Sequence, residues 1–233
     1  MNIKLNAFSL AEVLTVVAII GIIAALTIPN VNSDAEDRKV VSSLRKVYAD
    51  ISTAYDEIVA EHGKPYEWNS RSYDLYRYLV EKLATTKNCS NSSNSSDVCF
   101  LGKTNTNQYT VYHSSSDYYK MILKDGASVA IKFKPNADIS PANEDESYAC
   151  QNELGEIVVD VNGAQGENQE GYDIFKFNIC SNGILPKGLS AHHGVTLGDQ
   201  ENFDYTAGWI IKAGNRDYLK CDGLNWDTKR SCK

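Results

Sequence analysis

A chain of 233 residues with net charge −7 and a pI near 5.1 is long enough for one sizeable core and too acidic for a surface committed to nucleic acid at large. Its six cysteines all lie beyond Tyr48, in no CxxC or Cys/His zinc spacing. They read as disulfides, which places that part of the chain in an oxidising compartment.

The first informative stretch is residues 8–28, which hold a single charge, Glu12. At ~1.5 Å per helical residue the stretch reaches about 31 Å, enough for a bilayer core of ~30 Å. A secretory signal fits poorly, because its short apolar core ends at a small-residue cleavage site, whereas here the basic leader with Lys4 stops before the apolar run. The expected order is therefore a leader over 1–7 and a transmembrane segment over 8–29. Glu12 lies one turn inside it. A carboxylate there costs roughly 2.5–3.5 kcal/mol on insertion scales, so it requires a partner or a role.

After Pro29, which should kink or locally melt the helix, the chain turns amphipathic over 30–62. Val40, Leu44, Val47, Ile51, Tyr55 and Ile58 recur at helical spacing with charges between them. His62-Gly63-Lys64-Pro65 supplies the stop. A second helix is predicted over 72–86, capped by Ser72, and then a polar loop between Cys89 and Cys99 whose Asn-X-Ser triplets read as plain loop chemistry. Strand signals follow: a hairpin over 118–123 and 128–133 turning at Asp125-Gly126, an acidic loop over 136–147, and strands over 156–161 and 174–179. The tail is ambiguous, with a helical turn over 207–213 and a last strand over 217–221. Together these give an α+β class: a long N-terminal transmembrane and amphipathic helix packed on an antiparallel β-sheet head over 63–233.

The run Ala7-Phe8-Ser9-Leu10-Ala11-Glu12, the apolar stretch and Pro29 resemble the amino terminus of type IV pilins and type II secretion pseudopilins. A short basic leader, a small residue before Phe8, Glu as fifth residue of the mature chain and Pro as its twenty-second coincide. The one departure is Ala7, where the family usually has Gly. The resemblance implies cleavage between Ala7 and Phe8 by a prepilin peptidase and N-methylation of Phe8. It also implies assembly in which Glu12 meets the amino-terminal nitrogen of a neighbouring subunit. The fold it implies is pilin-like. The implied location is the bacterial inner membrane, head extracytoplasmic, and then a filament. The implied partners are identical or related subunits, an inner-membrane assembly platform and the lipid bilayer. The expected function is that of a structural subunit of a type IV pilus or a type II secretion pseudopilus. The alternative is a minor pilin acting as a binding module in adhesion or DNA uptake, which the shortage of clustered Lys and Arg weakens.

Short polar loops favour the pairs Cys89–Cys99 and Cys221–Cys232, leaving Cys150–Cys180 to staple two strands. The Cys221–Cys232 loop resembles the carboxyl-terminal disulfide loop of type IV pilins. The stretch from Asp160 to Asp173 is rich in oxygen donors and glycines, the ligand chemistry that Ca²⁺ prefers, with Asp160, Asn162 and Asp173 as candidate ligands. Its spacing is not that of an EF-hand. The competing reading is a tight Asn/Gly turn whose side chains bond their own backbone. No enzyme is expected: the four histidines form no catalytic spacing, His192-His193 lies in a Gly-containing loop, and Glu144-Asp145-Glu146 reads as a solvated run.

Overall fold

In the computed structural model the first helix, α1, runs unbroken from Leu10 to His62. The local melting expected at Pro29 does not occur: proline deletes one donor from the ladder, and the turns on either side keep theirs. The structure describes residues 9–68, 71–92, 99–100, 112, 115–134, 150, 152–163, 165, 168–189 and 200–232, without the side chains of 26–33, 66, 72 and 200–202. Ala7 and Phe8 thus lie outside the described residues, as does the side chain of Pro29. Two compact units divide between Lys39 and Val40.

Among the described residues no helix is long and apolar enough to cross a membrane. Apolar side chains are described only over 10–25 of the span expected at 8–29, which at ~1.5 Å per residue is about 24 Å, short of a ~30 Å core.

The second unit, Val40–Lys233, is α+β with one six-stranded sheet, antiparallel throughout and in sequence order from edge to edge. Its strands are β1 Thr85–Ser90, β2 Tyr119–Leu123, β3 Ser128–Phe133, β4 Glu153–Asp160, β5 Ile174–Cys180 and β6 Gly183–Pro186. Among the described residues two further helices are α2, Arg71–Lys82, and α3, Thr206–Ala213. The period-2 alternation of the strands sorts side chains onto two faces. One face carries Met121, Val129, Ile131, Ile157, Val159, Phe175 and Phe177, packed with Leu44, Ile51 and Ile58 of α1, Leu75 and Leu79 of α2, and Trp209 and Ile210 of α3. The apolar stripe read from residue 40 onward is the strip of α1 that this core takes up. Tyr48 stacks on Phe177 at 5.4 Å, and the Tyr55 hydroxyl donates to the Cys180 carbonyl at 3.1 Å.

Gly63, at φ 75°, ends α1 in the left-handed conformation that suits glycine. The second helix starts at Arg71 rather than at a Ser72 cap and ends at Lys82. Residues 85–90, expected to be helix or loop, instead form the edge strand β1, paired with β2. Residues 217–219 form a 3-10 turn and not the last strand.

Three cysteine pairs are at bonding distance, Cys89–Cys99, Cys150–Cys180 and Cys221–Cys232, with Cα separations of 6.0, 5.3 and 5.8 Å. These are the pairs that loop length and sequence order favour. The acidic loop over 136–147 and His192-His193 lie outside the described residues.

Candidate functional site

At the amino end of α1, Ser9 and Glu12 form a reciprocal cap. The Ser9 backbone N–H and hydroxyl both donate to Glu12 Oε2 at 2.9 Å, and the Glu12 N–H donates back to Ser9 Oγ at 3.3 Å. This satisfies donors that the first turn leaves open. The side chains that follow are apolar and outward-facing: Leu10 is 79% exposed and Ile22 64%, and apart from Tyr73 all the exposed large hydrophobics among the described residues fall between Leu10 and Ile23. A run of that kind is a surface that water solvates badly and that lipid or another apolar helix suits.

A second polar constellation sits between β4 and β5, and it gathers the three residues that sequence pointed to. Asp160 ends β4 fully buried, and its Oδ1 accepts the backbone N–H groups of Asn162, at 3.2 Å, and Gly163, at 2.9 Å. Gly163 holds φ 60° against the Gly126 carbonyl of the β2–β3 turn, a place where any Cβ would collide with backbone. The Asp173 carboxylate accepts the N–H of Asn168 at 2.8 Å and of Gln169, and the Asn162 carboxamide nitrogen at 3.2 Å. Burial, with the charge of Asp173 added, pushes the Asp160 carboxyl up to about 8 against the two N–H groups that favour its ionised form. Burial also raises Asp173, against its own hydrogen bonds and the charge of Arg216.

Asn168 is the member not singled out from sequence. It sits at φ 49°, 4% exposed, and its position is set by the turn that returns the chain into β5. Side-chain oxygens Oδ2 of Asp160, Oδ1 of Asn162 and Oδ1 of Asn168 are buried without a hydrogen-bond donor. Among the described residues no three His, Cys, Asp or Glu side chains gather to hold a metal; this turn offers two carboxylates and two carboxamides.

The sheet face opposite α1 carries charge in place of a broad apolar layer. Lys120, Ala130, Val158 and Lys176 lie across from one another on β2 to β5. Phe100, Tyr112 and Tyr118 pack on the small apolar rung between the lysines. Lys176 Nζ bonds Asp204 at 2.7 Å and Glu170 at 3.0 Å, Lys187 bonds the other Asp204 oxygen at 2.8 Å, and the Tyr112 hydroxyl donates to Glu170 at 2.8 Å. The pairs clamp the segment before α3 to β5 and β6.

Burial pulls the Lys176 ammonium down, but the Asp204 hydrogen bond and the charges of Glu170 and Asp204 outweigh it and leave Lys176 raised. Burial pushes Asp204 up, and the two lysines outweigh that and leave it lowered. The Asp204 contribution to stability is therefore present above the ordinary Asp value of about 3.9 and lost as pH falls through its lowered value. That of Lys176 is present below about 10.4 and lost as pH rises through its raised value. Asp204→Asn should cost about 1.5–3 kcal/mol, nearer the low end because solvent reaches Asp204. It should also remove part of the acid limb of the stability profile, as read by urea melts across pH. A profile identical to that of the parent chain below pH ~4 would show that the clamp contributes nothing.

Comparison of the chain with protein-family models, with curated proteins and with solved structures finds no match in any of the three.

Proposed function

We propose that the chain is a structural subunit of a type IV pilus or a type II secretion pseudopilus, polymerised through α1. The observation that carries this reading is the exposed apolar run from Leu10 to Ile23, opened by the buffered carboxylate of Glu12, in a helix whose later residues belong to the core of an α+β unit. An apolar helical surface of that kind requires a non-aqueous environment. A membrane before assembly and a bundle of like helices after it supply one in turn. Together with residues 26–29 the run regains the length of a membrane span. The head then lies in the oxidising compartment that three cysteine pairs require.

In this reading prepilin peptidase cleaves between Ala7 and Phe8, Phe8 is methylated, and Pro29 stands where the lipid-facing part of α1 gives way to its amphipathic part. The test is amino-terminal sequencing of the membrane-extracted chain together with electron microscopy of sheared surface material. A mature chain beginning at Phe8 is expected, and Ala7→Leu should leave an uncut precursor in the membrane. A mature terminus elsewhere, or Ala7→Leu processed like the parent, would remove the motif from the argument.

A further inference from the structure

Assembly through α1 makes no use of the charges gathered on the opposite face of the sheet. We propose that Lys176 and Asp204 condense into an intramolecular amide, a covalent strap from β5 to the segment before α3, with Glu170 carrying the proton and Lys187 steadying the oxyanion. The bond does not depend on how the chain assembles.

An ordinary ion pair requires two groups, and here four converge. Lys176 Nζ lies 2.7 Å from Asp204 Oδ1, so the carboxyl carbon is no more than one C–O bond further off. The same nitrogen lies 3.0 Å from Glu170 Oε1, an oxygen that the Tyr112 hydroxyl holds in place at 2.8 Å. Lys187 Nζ sits on the other Asp204 oxygen, Oδ2, at 2.8 Å. The Lys176 and Glu170 side chains are only 13% and 14% exposed. The Tyr112 ring centre is 5.9 Å from Lys176 Nζ, and Phe100 and Tyr118 pack with Tyr112 on the same face. These are the parts of an acyl transfer: amine nucleophile, carboxyl carbon, proton carrier and a cation where negative charge develops.

The step balances without any co-reactant. One ammonium proton passes from Nζ to Asp204 Oδ1 along the bond that joins them, leaving a neutral amine beside a carboxylic acid. The amine lone pair attacks the carboxyl carbon, and Oδ2 takes up the negative charge opposite the Lys187 ammonium. Glu170 removes a second proton from the nitrogen and hands it to Oδ1, which bonds the same nitrogen and is therefore close by. The N–C bond forms, the C–Oδ1 bond breaks and one water leaves, with Glu170 again a carboxylate.

Burial opposes the ion pair on both sides, and the hydrogen bonds and charges outweigh it, so the neutral form is scarce. Scarcity sets the rate and not the outcome, because the bond is made once per chain and is then as inert as a peptide bond. Groups held in good orientation act at effective concentrations of ~10⁵–10⁸ M. The acid limb of stability belongs to the open pair, since a closed chain has no Asp204 carboxylate left to titrate. Lys176 and Asp204 are 28 residues apart, and Thr206 opens α3 two residues later, so the strap fixes α3 to the sheet.

The experiment is intact mass spectrometry of the full-length chain, extracted in detergent, reduced and denatured, beside its Lys176→Arg and Glu170→Gln variants. Arginine keeps the charge and cannot condense; glutamine still accepts from Tyr112 and cannot carry the proton. The parent is expected to be one water lighter than its sequence requires, relative to both variants, and to give a branched peptide joining Lys176 to Asp204. Both variants should keep the water and melt roughly 5–15 °C lower, the loss of one cross-link of this loop length. A parent chain that retains the water would overturn the bond. Closure of Glu170→Gln as complete and as fast as that of the parent would overturn the role of Glu170. A closed parent melting no higher than the open variants would overturn the strap.

Discussion

If the chain polymerises through α1 as proposed, Glu12→Ala should abolish filament incorporation while leaving the amount of chain in the membrane, its cleavage and the folding of its head at parental levels. The carboxylate is the only charge among residues 8–28, so it is the only anionic partner that this stretch can offer the Phe8 ammonium of an adjacent subunit. An ammonium left unpaired inside a bundle of apolar helices costs about 3–5 kcal/mol, which is roughly a hundredfold or more in incorporation. Membrane insertion should not suffer, because a buried charge has been removed.

The start of α1 should also survive, since the backbone N–H of residue 12 still donates to the Ser9 hydroxyl when alanine replaces the side chain. What alanine does lose is the pair of bonds from Ser9 to the carboxylate. Glu12→Gln separates the two roles: it still accepts from Ser9 but carries no charge. If the ion pair governs assembly, Gln fails like Ala, and Glu12→Asp is intermediate. If Gln assembles like the parent and Ala does not, the cap alone is at work. Sheared-fibre yield set against membrane content reads all three, and full assembly of Glu12→Ala would sink the pairing.

What the sequence disclosed follows from where the physics is local. The stripe from Val40 to Ile58 was legible because a helix repeats every 3.6 residues and one core takes all of that face. Likewise β2, β3 and the Asp125-Gly126 turn, because alternation and a turn residue with special backbone freedom sit side by side. The sequence Thr85–Ser90, in contrast, contains one buried side chain, Cys89, and no alternation to speak of; only pairing with β2 and the bond to Cys99 make it a strand. Four-residue β6 ends in Pro186, which reads as a breaker and is tolerated because the strand forms the sheet edge. The polar turn was legible in composition, yet Asn168 was not separable from its Asn and Gln neighbours. Its burial depends on Asp173 receiving its N–H, a contact made across the turn. Lys176 illustrates the same limit, since nothing in Ile174–Cys180 foretells that Asp204 will close over it.

The short helix α3 should prove as important to stability as its size suggests it is not. Trp209→Ala is expected to cost about 3–5 kcal/mol, more than the ~2–4 kcal/mol for replacing Cys221 and Cys232 together by serine. Among the described residues Trp209 is the largest side chain with no exposed surface, packed in the core with the residues of α1, and its ring lies 4.8 Å from Trp226 in the disulfide loop. Removing it opens a cavity bounded by sheet, helix and loop, three elements that cannot collapse together without breaking others.

Gly208, next to it, explains why the site has no slack. The helix approaches Gly188 and Leu189 backbone to backbone, with the Gly208 N–H on the Lys187 carbonyl at 2.9 Å, so α3 has no room to slide inward. Trp209→Phe keeps most of the volume and loses the indole bond to Asn215 Oδ1, 2.9 Å long. Because that oxygen still accepts the Asp217 N–H at 3.1 Å, no acceptor is orphaned, and the cost should be close to 1 kcal/mol plus the smaller ring. Urea melts of the full-length variants followed by far-UV circular dichroism give the order: Ala worst, then the cysteine pair, then Phe. If the cysteine pair costs more than Trp209→Ala, the loop is held chiefly by its covalent link, and Trp226 rests on α3 without depending on it.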